Sequence, residues 1–182
     1  MATSNLIQYL ETADAAGTTL GVSPSDRKKV ETFLFKNPNA VGGASITLSA
    51  GQVVAADVAQ MATDATGGLT AIRVVLADFN SAPVQKVVVG VVEKAVTVAP
   101  QQTSPVSVVV RGPALSVAVT GAVAVGDPLI LDPSGAAGTG AVQLPYNSAA
   151  GTSVSEAFAF ALSTAAGPGA GTVTAYILNK GI

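Results

Sequence analysis

Beyond residue 28 the chain alternates short apolar runs with turn residues, and the runs are strand-sized. Residues 30–36 are rich in β-branched and aromatic side chains and stop at Asn37-Pro38-Asn39, which predicts a first strand and a turn. Further strands are predicted at 46–48, 53–56, 71–76, 84–92, 106–110, 115–119, 129–131, 158–162 and 173–178, separated by Gly, Pro, Ser and Asp. Between 52 and 65 the alanines around Val58-Ala59-Gln60-Met61 leave a helical turn open. The run Val87-Val88-Val89-Gly90-Val91-Val92 is apolar on both faces, which predicts a strand buried on both sides, with Gly90 at a bend or a close backbone approach. Val106, Val108 and Val110 alternate with Ser107, Val109 and Arg111, so one face meets a core and the other a partner or solvent. Arg111-Gly112-Pro113-Ala114 then predicts a reversal into 115–119, making a hairpin. The expected fold class is mainly β, a compact barrel or sandwich.

The same strands carry an internal echo. Thr47 to Asp57 and Ala122 to Asp132 keep a glycine and a terminal aspartate at a constant shift, from 51 to 126 and from 57 to 132. After each comes a second pair of strands, 89–95 with 106–112 and 159–165 with 172–178. Self-similarity of this kind bears on the whole architecture, and it predicts two related halves, about 46–112 and 121–181, within one β domain at 29–182. Residues 1–28 read as an arm: Ser4 is placed to cap a short helix carrying Leu6, Ile7, Tyr9 and Leu10, and Gly17, Gly21 and Pro24 then break regular structure.

Composition changes the picture by what it lacks. Charged residues are 11% of the chain and aromatics 4%, against 49% apolar residues. A freely diffusing monomer carries about 25 to 35% charged residues on its surface, so much of this exterior is expected to be covered by neighbours. There is no cysteine and no histidine, which removes disulfides, thiolate metal sites, the cysteine nucleophile and the commonest general base. The net charge of −2 and the lack of a basic stripe beyond Arg27-Lys28-Lys29 argue against a nucleic-acid partner. The first residues lack the charged start and long apolar core of a secretory signal. Residues 157–179 carry no charge over 23 positions, but a glycine-rich break at 167–171 and alternation of Thr172, Thr174 and Tyr176 with Val173, Ala175 and Ile177 favour two strands over a membrane span.

Few residues suggest chemistry. Asp127 with Asp132, or Asp57 with Asp64, are conceivable calcium ligands or catalytic carboxylates, yet calcium needs about six to eight oxygens and these acids stand isolated among alanines. Turn chemistry explains them better. Gly126 supplies φ > 0, Asp127 accepts hydrogen bonds from its own turn, Pro128 sets the start of the next strand, and Asp132 opens a turn with Gly135. The related turn at Gly51 lacks that Pro and that first Asp and is expected to be looser. The glycine-rich 167–171 loop lacks the lysine of a phosphate loop. Neither an enzyme nor a cofactor is expected.

The run Gly121-Ala-Val-Ala-Val-Gly-Asp-Pro-Leu-Ile-Leu-Asp-Pro-Ser-Gly135, preceded by strands at 87–92 and 106–110, resembles the capsid decoration (cement) proteins of tailed bacteriophages. The resemblance covers about residues 30–182 and leaves the arm outside. It implies a compact β protein made in the host cytoplasm that sits on the outer face of the virion shell, commonly as a homotrimer, with the major capsid protein as partner. The expected contacts to the shell or between subunits are Leu6, Ile7, Tyr9 and Leu10 of the arm with Arg27, Lys28 and Lys29. Rival readings are a fibre or surface-recognition module binding a host glycan, for which the chain offers three Tyr and no Trp as platforms, and a tail-tube or connector subunit.

Overall fold

A computed structural model describes residues 28–68, 72–77, 87–131, 141–143, 157–166 and 169–178. The described chain is mainly β, with one helix. In order it forms β1 (Lys29–Lys36), β2 (Ile46–Leu48), β3 (Val53–Ala56), α1 (Val58–Thr66), β4 (Val74–Leu76), β5 (Val88–Val92), β6 (Val96–Val98), β7 (Thr103–Thr120), β8 (Pro128–Leu131), β9 (Ala141–Gln143), β10 (Ala159–Ala161) and β11 (Ala170–Ile177). Nine of the strands join in one large sheet, and β2 and β6 form a small pair beside it. The predicted strands fall on observed ones wherever the residues are described. Two short strands, β6 and β9, were not anticipated from the pattern, and the helical turn considered near Val58 is a nine-residue helix.

The expected hairpin at Gly112 does not exist. β7 runs through it as one strand of 18 residues. Lys29 still pairs with Arg111 on one side of the glycine, while Ile177 pairs with Gly112 and Tyr176 with Pro113 on the other. Gly112 has φ of 87° and Ser116 φ of 59°, and the register against β11 shifts between Val173 and Ala175. These irregularities twist the strand without reversing it, as a bulge does. Pairing on both flanks outweighs the local turn preference of Gly-Pro.

The consequence is that β7 serves two groups of strands. Its first half pairs with β1 and β5, β5 with β3, β3 with β4, and a parallel bridge from Leu34 to Arg73 brings β4 back to β1. Its second half pairs with β11, β11 with β10, β10 with β8, β8 with β9, and β9 returns in parallel to β7. We refer to these as the first unit, residues 29–111, and the second, residues 112–178. The sheet as a whole does not close into one barrel.

The two units use the same registers. Val53 faces Val91 and Val54 faces Gly90 in the first; Pro128 faces Phe160 and Leu129 faces Ala159 in the second. Leu48 opposite Val96 has its counterpart in the bridge between Val123 and Ala165. By these registers β7 is the last strand of the first unit fused to the first strand of the second.

Two apolar cores follow from this arrangement. One contains Phe33, Phe35, Leu48, Val54, Ala56, Val89, Val92, Val106 and Val108. Their counterparts by register, Val117, Val119, Val123, Leu129, Leu131, Phe158, Ala161, Val173 and Ala175, all lie in the other. Where the first unit places Phe33 and Phe35, the second has valines and recovers volume with Phe158, Leu129 and Leu131, so each interior fills with a different jigsaw. The second core also takes in Val53, Ala55, Val91 and Val109, which point out of the first unit. That is why Val89 to Val92 is buried on both faces, as its composition predicted. At Gly90 a Cβ would meet the Val109 carbonyl oxygen at 2.2 Å, the close approach expected there.

The turns at the two echoed glycines coincide in detail. Gln52 N–H donates to the Ser49 carbonyl at 3.2 Å and Asp127 N–H to the Ala124 carbonyl at 3.2 Å, with φ of 88° at Gly51 and 90° at Gly126. In each turn the side chain of the last residue accepts from the first N–H: Gln52 Oε1 from Ser49 and Asp127 Oδ2 from Ala124, both at 2.7 Å. The Gly51 turn is therefore not looser, because the Gln52 amide reaches the N–H that Asp127 holds in the other turn. What differs is the surroundings. A Cβ on Gly51 would fall 1.8 Å from the Ser116 carbonyl oxygen, whereas one on Gly126 meets nothing within 4 Å. Gly126→Ala is expected to cost about 1–2 kcal/mol for its left-handed backbone. Gly51→Ala adds a backbone clash at the junction of the units and is expected to lower the chemical-denaturation midpoint clearly further.

Candidate functional site

The sequence-derived contact residues divide by what the structure describes. Leu6, Ile7, Tyr9, Leu10 and Arg27 lie outside the described residues, as does Asp132. Lys28 and Lys29 are at the start of β1. Lys28 Nζ meets Glu93 Oε1 at 2.7 Å and Lys29 Nζ meets Glu31 Oε1 at 2.6 Å, in partly exposed ion pairs. Exposed pairs contribute about 0 to 1 kcal/mol each, so the Lys28–Glu93 pair orients the start of β1 on the β5–β6 turn more than it holds it, and the Lys29–Glu31 pair lies within β1. Gly51, Gly126, Asp127 and Pro128 occupy the turns described above, and Pro128 is the first residue of β8, where its missing N–H is tolerated.

Asp57 and Asp64, weighed as a carboxylate pair, have separate structural partners. Asp57 caps α1: its Oδ1 accepts from Gln60 N–H at 3.0 Å. Asp64 is buried on the same helix and receives Arg73 Nε on Oδ2 and Gln60 Nε2 on Oδ1, the latter at 3.0 Å. Arg73 is buried too, at the start of β4, and its carbonyl accepts Asp57 N–H at 3.0 Å. The pair thus clamps the helix to the sheet beside the β1–β4 bridge. The Arg73 hydrogen bond, and then that of Gln60, hold the Asp64 carboxyl below its ordinary range, while burial opposes them. Nothing in the isolated positions of these two charges, nine residues apart, announced that they meet; their rarity in an apolar stretch was the only signal.

A second polar element was also missed. Asn37 is fully buried, and its Nδ2 donates to the Val98 carbonyl at 2.8 Å and the Ala44 carbonyl at 3.2 Å, while its Oδ1 accepts Asn39 N–H at 2.9 Å. It ties the turn after β1 to β6, so the Asn-Pro-Asn turn signal marked a residue whose side chain reaches far beyond its own turn.

Among the described residues no group of three or more acidic side chains is placed to hold a metal ion. No described helix is long and apolar enough to cross a membrane. Among the described residues of the second unit Leu115, Val125 and Leu162 are exposed, Pro128, Phe160 and Tyr176 are partly buried, and Asp127 is the charged side chain. No family model matches the chain, and no curated protein matches it.

A buried carboxylate held below its ordinary pKa contributes stability above its unfolded-state pKa and loses it as pH falls through the folded-state value. Asp64→Asn is therefore expected to destabilise the protein at neutral pH. The gap to the parent should narrow as pH drops below the ordinary aspartate range. Urea titrations at a series of pH values measure that gap; one independent of pH would mean that the Asp64 charge does not clamp the helix.

Proposed function

We propose that this chain is a capsid decoration protein that binds the outer face of a tailed-bacteriophage shell, as a homotrimer, and strengthens the shell against the packed genome. The observation that carries the reading is the Ala-Val-Gly-Asp-Pro-Leu run at 124–129 within its frame of strands, which resembles that family. The low charge of the chain and the exposed apolar residues Leu115, Val125 and Leu162 of the second unit support it, because both suit a protein whose surface is covered by neighbours. The major capsid protein is the partner, and the arm at 1–28 supplies contacts to the shell or between subunits.

The mechanism is multivalent. Modest contacts from each subunit act at one lattice site, so the oligomer binds far more tightly than a single subunit. Anything that binds the assembled shell and not its separated parts stabilises it by mass action. The geometry fits a passive part of this kind: two tightly filled cores, turns fixed by side-chain caps, and buried polar groups spent on structure.

Two measurements test the reading. Mixed with undecorated expanded capsids, the protein is expected to co-sediment with them and to raise their thermal disruption temperature; a chain that ignores shells would overturn the proposal. Removal of residues 2–24 is expected to lower shell occupancy at least tenfold while the β signal in circular dichroism persists. Unchanged occupancy would take the arm out of the interface.

A further inference from the structure

The outer faces of the two units correspond residue by residue, but the fold treats them differently. In the first unit a row of directly opposed residues crosses four strands: Val53 on β3, Val91 on β5, Val109 on β7 and Val30 on β1. Val53, Val91 and Val109 are no more than 2% exposed, because the second unit packs over them and draws them into its own core. In the second unit the corresponding row is Pro128 on β8, Phe160 on β10, Tyr176 on β11 and Pro113 on β7. Pro128, Phe160 and Tyr176 are only partly buried, and Pro113 is exposed.

The row extends into a patch. Leu115, at the bulge of β7 two positions after Pro113, and Leu162, just past the end of β10 two positions after Phe160, adjoin the row in sequence and are 71% and 48% exposed. None of these six residues is charged. The patch also includes two of the chain's eight Phe and Tyr residues as direct cross-strand partners, in a protein with no Trp. Aromatic cross-strand pairs are stabilising, but a patch of apolar residues on an outer face is characteristic of an interface.

We infer that this face of the second unit is a self-association surface and that its occupant is a second copy of this chain. The argument is continuity with the contact already made inside the chain. Three of the four residues in the first unit's outer row are sealed by the unit that follows it, while Val30 stays 39% exposed at the row's end; the second unit has no successor in the described chain, and the first unit of another copy has the same strand plan as that successor. β11 corresponds to the first half of β7 and ends at Ile177, where in the first unit the strand continues into the second. β1 of another copy, beginning at Lys29, corresponds to that continuation. Such a contact joins two different surfaces, so it is head-to-tail and closes into a ring when the rotation allows.

The inference shares with the proposed function only the statement that the chain self-associates, and it is tested without shells. Light scattering across a concentration series gives the mass of the full chain and of three variants. Leu162→Lys and Phe160→Lys place a charge in the patch, the first at a half-exposed position where the fold tolerates it. Val41→Lys, at an 89% exposed position in the β1–β2 loop, is the control. The parent and the control are expected to exceed the 17.8 kDa of one chain. The patch variants are expected to dissociate at concentrations at least tenfold higher than the parent, with unchanged circular dichroism. A parent of one-chain mass throughout, a folded Leu162→Lys with parental association, or equal weakening by Val41→Lys would each overturn the inference. An oligomer insensitive to the patch leaves self-association standing and removes this surface from it; an oligomer lost with the patch but indifferent to shells upholds the surface and removes the decoration reading.

Discussion

β7 must satisfy two cores at once, and most of what is particular to this protein follows from that demand. Along its first half Val106 and Val108 fill one interior while Val109 faces the other; along its second half Val117 and Val119 complete the second interior. A strand of this length twists progressively and in one hand. Gly112 and Ser116 take left-handed backbone where the strand passes from one group of partners to the other. Gly51 sits against that passage, its carbonyl accepting Ala118 N–H at 2.9 Å, so the turn of one unit is wedged into the first strand of the next. The two units therefore share backbone hydrogen bonds as well as an apolar contact, and neither interior is independent of β7.

Charge is used sparingly and locally within this frame. The described ion pairs are two partly exposed ones beside β1 and the buried pair of Asp64 and Arg73. Burying the latter is tolerable because Gln60 satisfies the remaining Asp64 oxygen, and an unpaired charge in that position would be costly. Several of the described polar groups cap, clamp or close turns, and exposed apolar side chains such as Leu115, Val125 and Leu162 remain on the second unit. The proposed role as a shell-bound structural protein and the proposed self-association face both draw on that division of labour. A protein acting through broad, weakly polar contacts needs geometric fidelity more than reactive groups, and paired turns and filled cores provide it.

The first unit's outer row of valines and the second unit's row of Pro128, Phe160 and Tyr176 show how one strand plan yields two surfaces. Valines suit a face pressed against another unit, where small branched side chains interdigitate with a sheet. Larger rings and prolines at the corresponding positions present a broader, stiffer face with less side-chain entropy to lose on contact. In the first unit the row is part of the neighbouring interior, whereas in the second the interior is filled by other residues of the same strands and the row stays at the surface.

Strand content, most strand positions and the turn chemistry at Gly126 and Asp127 were legible in the sequence, since they depend on period-two alternation and on conformational preferences of single residues. The likeness between the Gly51 and Gly126 stretches was equally legible. Tertiary structure alone decided the fate of Gly112, because whether Gly-Pro reverses a strand depends on what pairs with its two flanks, and those partners lie some 80 and 65 positions away in sequence by the registers of Lys29 and Ile177. The same holds for the meeting of Asp64 with Arg73, the reach of Asn37 to β6, and the burial of Val109 but not Tyr176. Local patterns carry information about which way a side chain points. What it meets there is set by the packing of distant segments, which no short window of sequence contains.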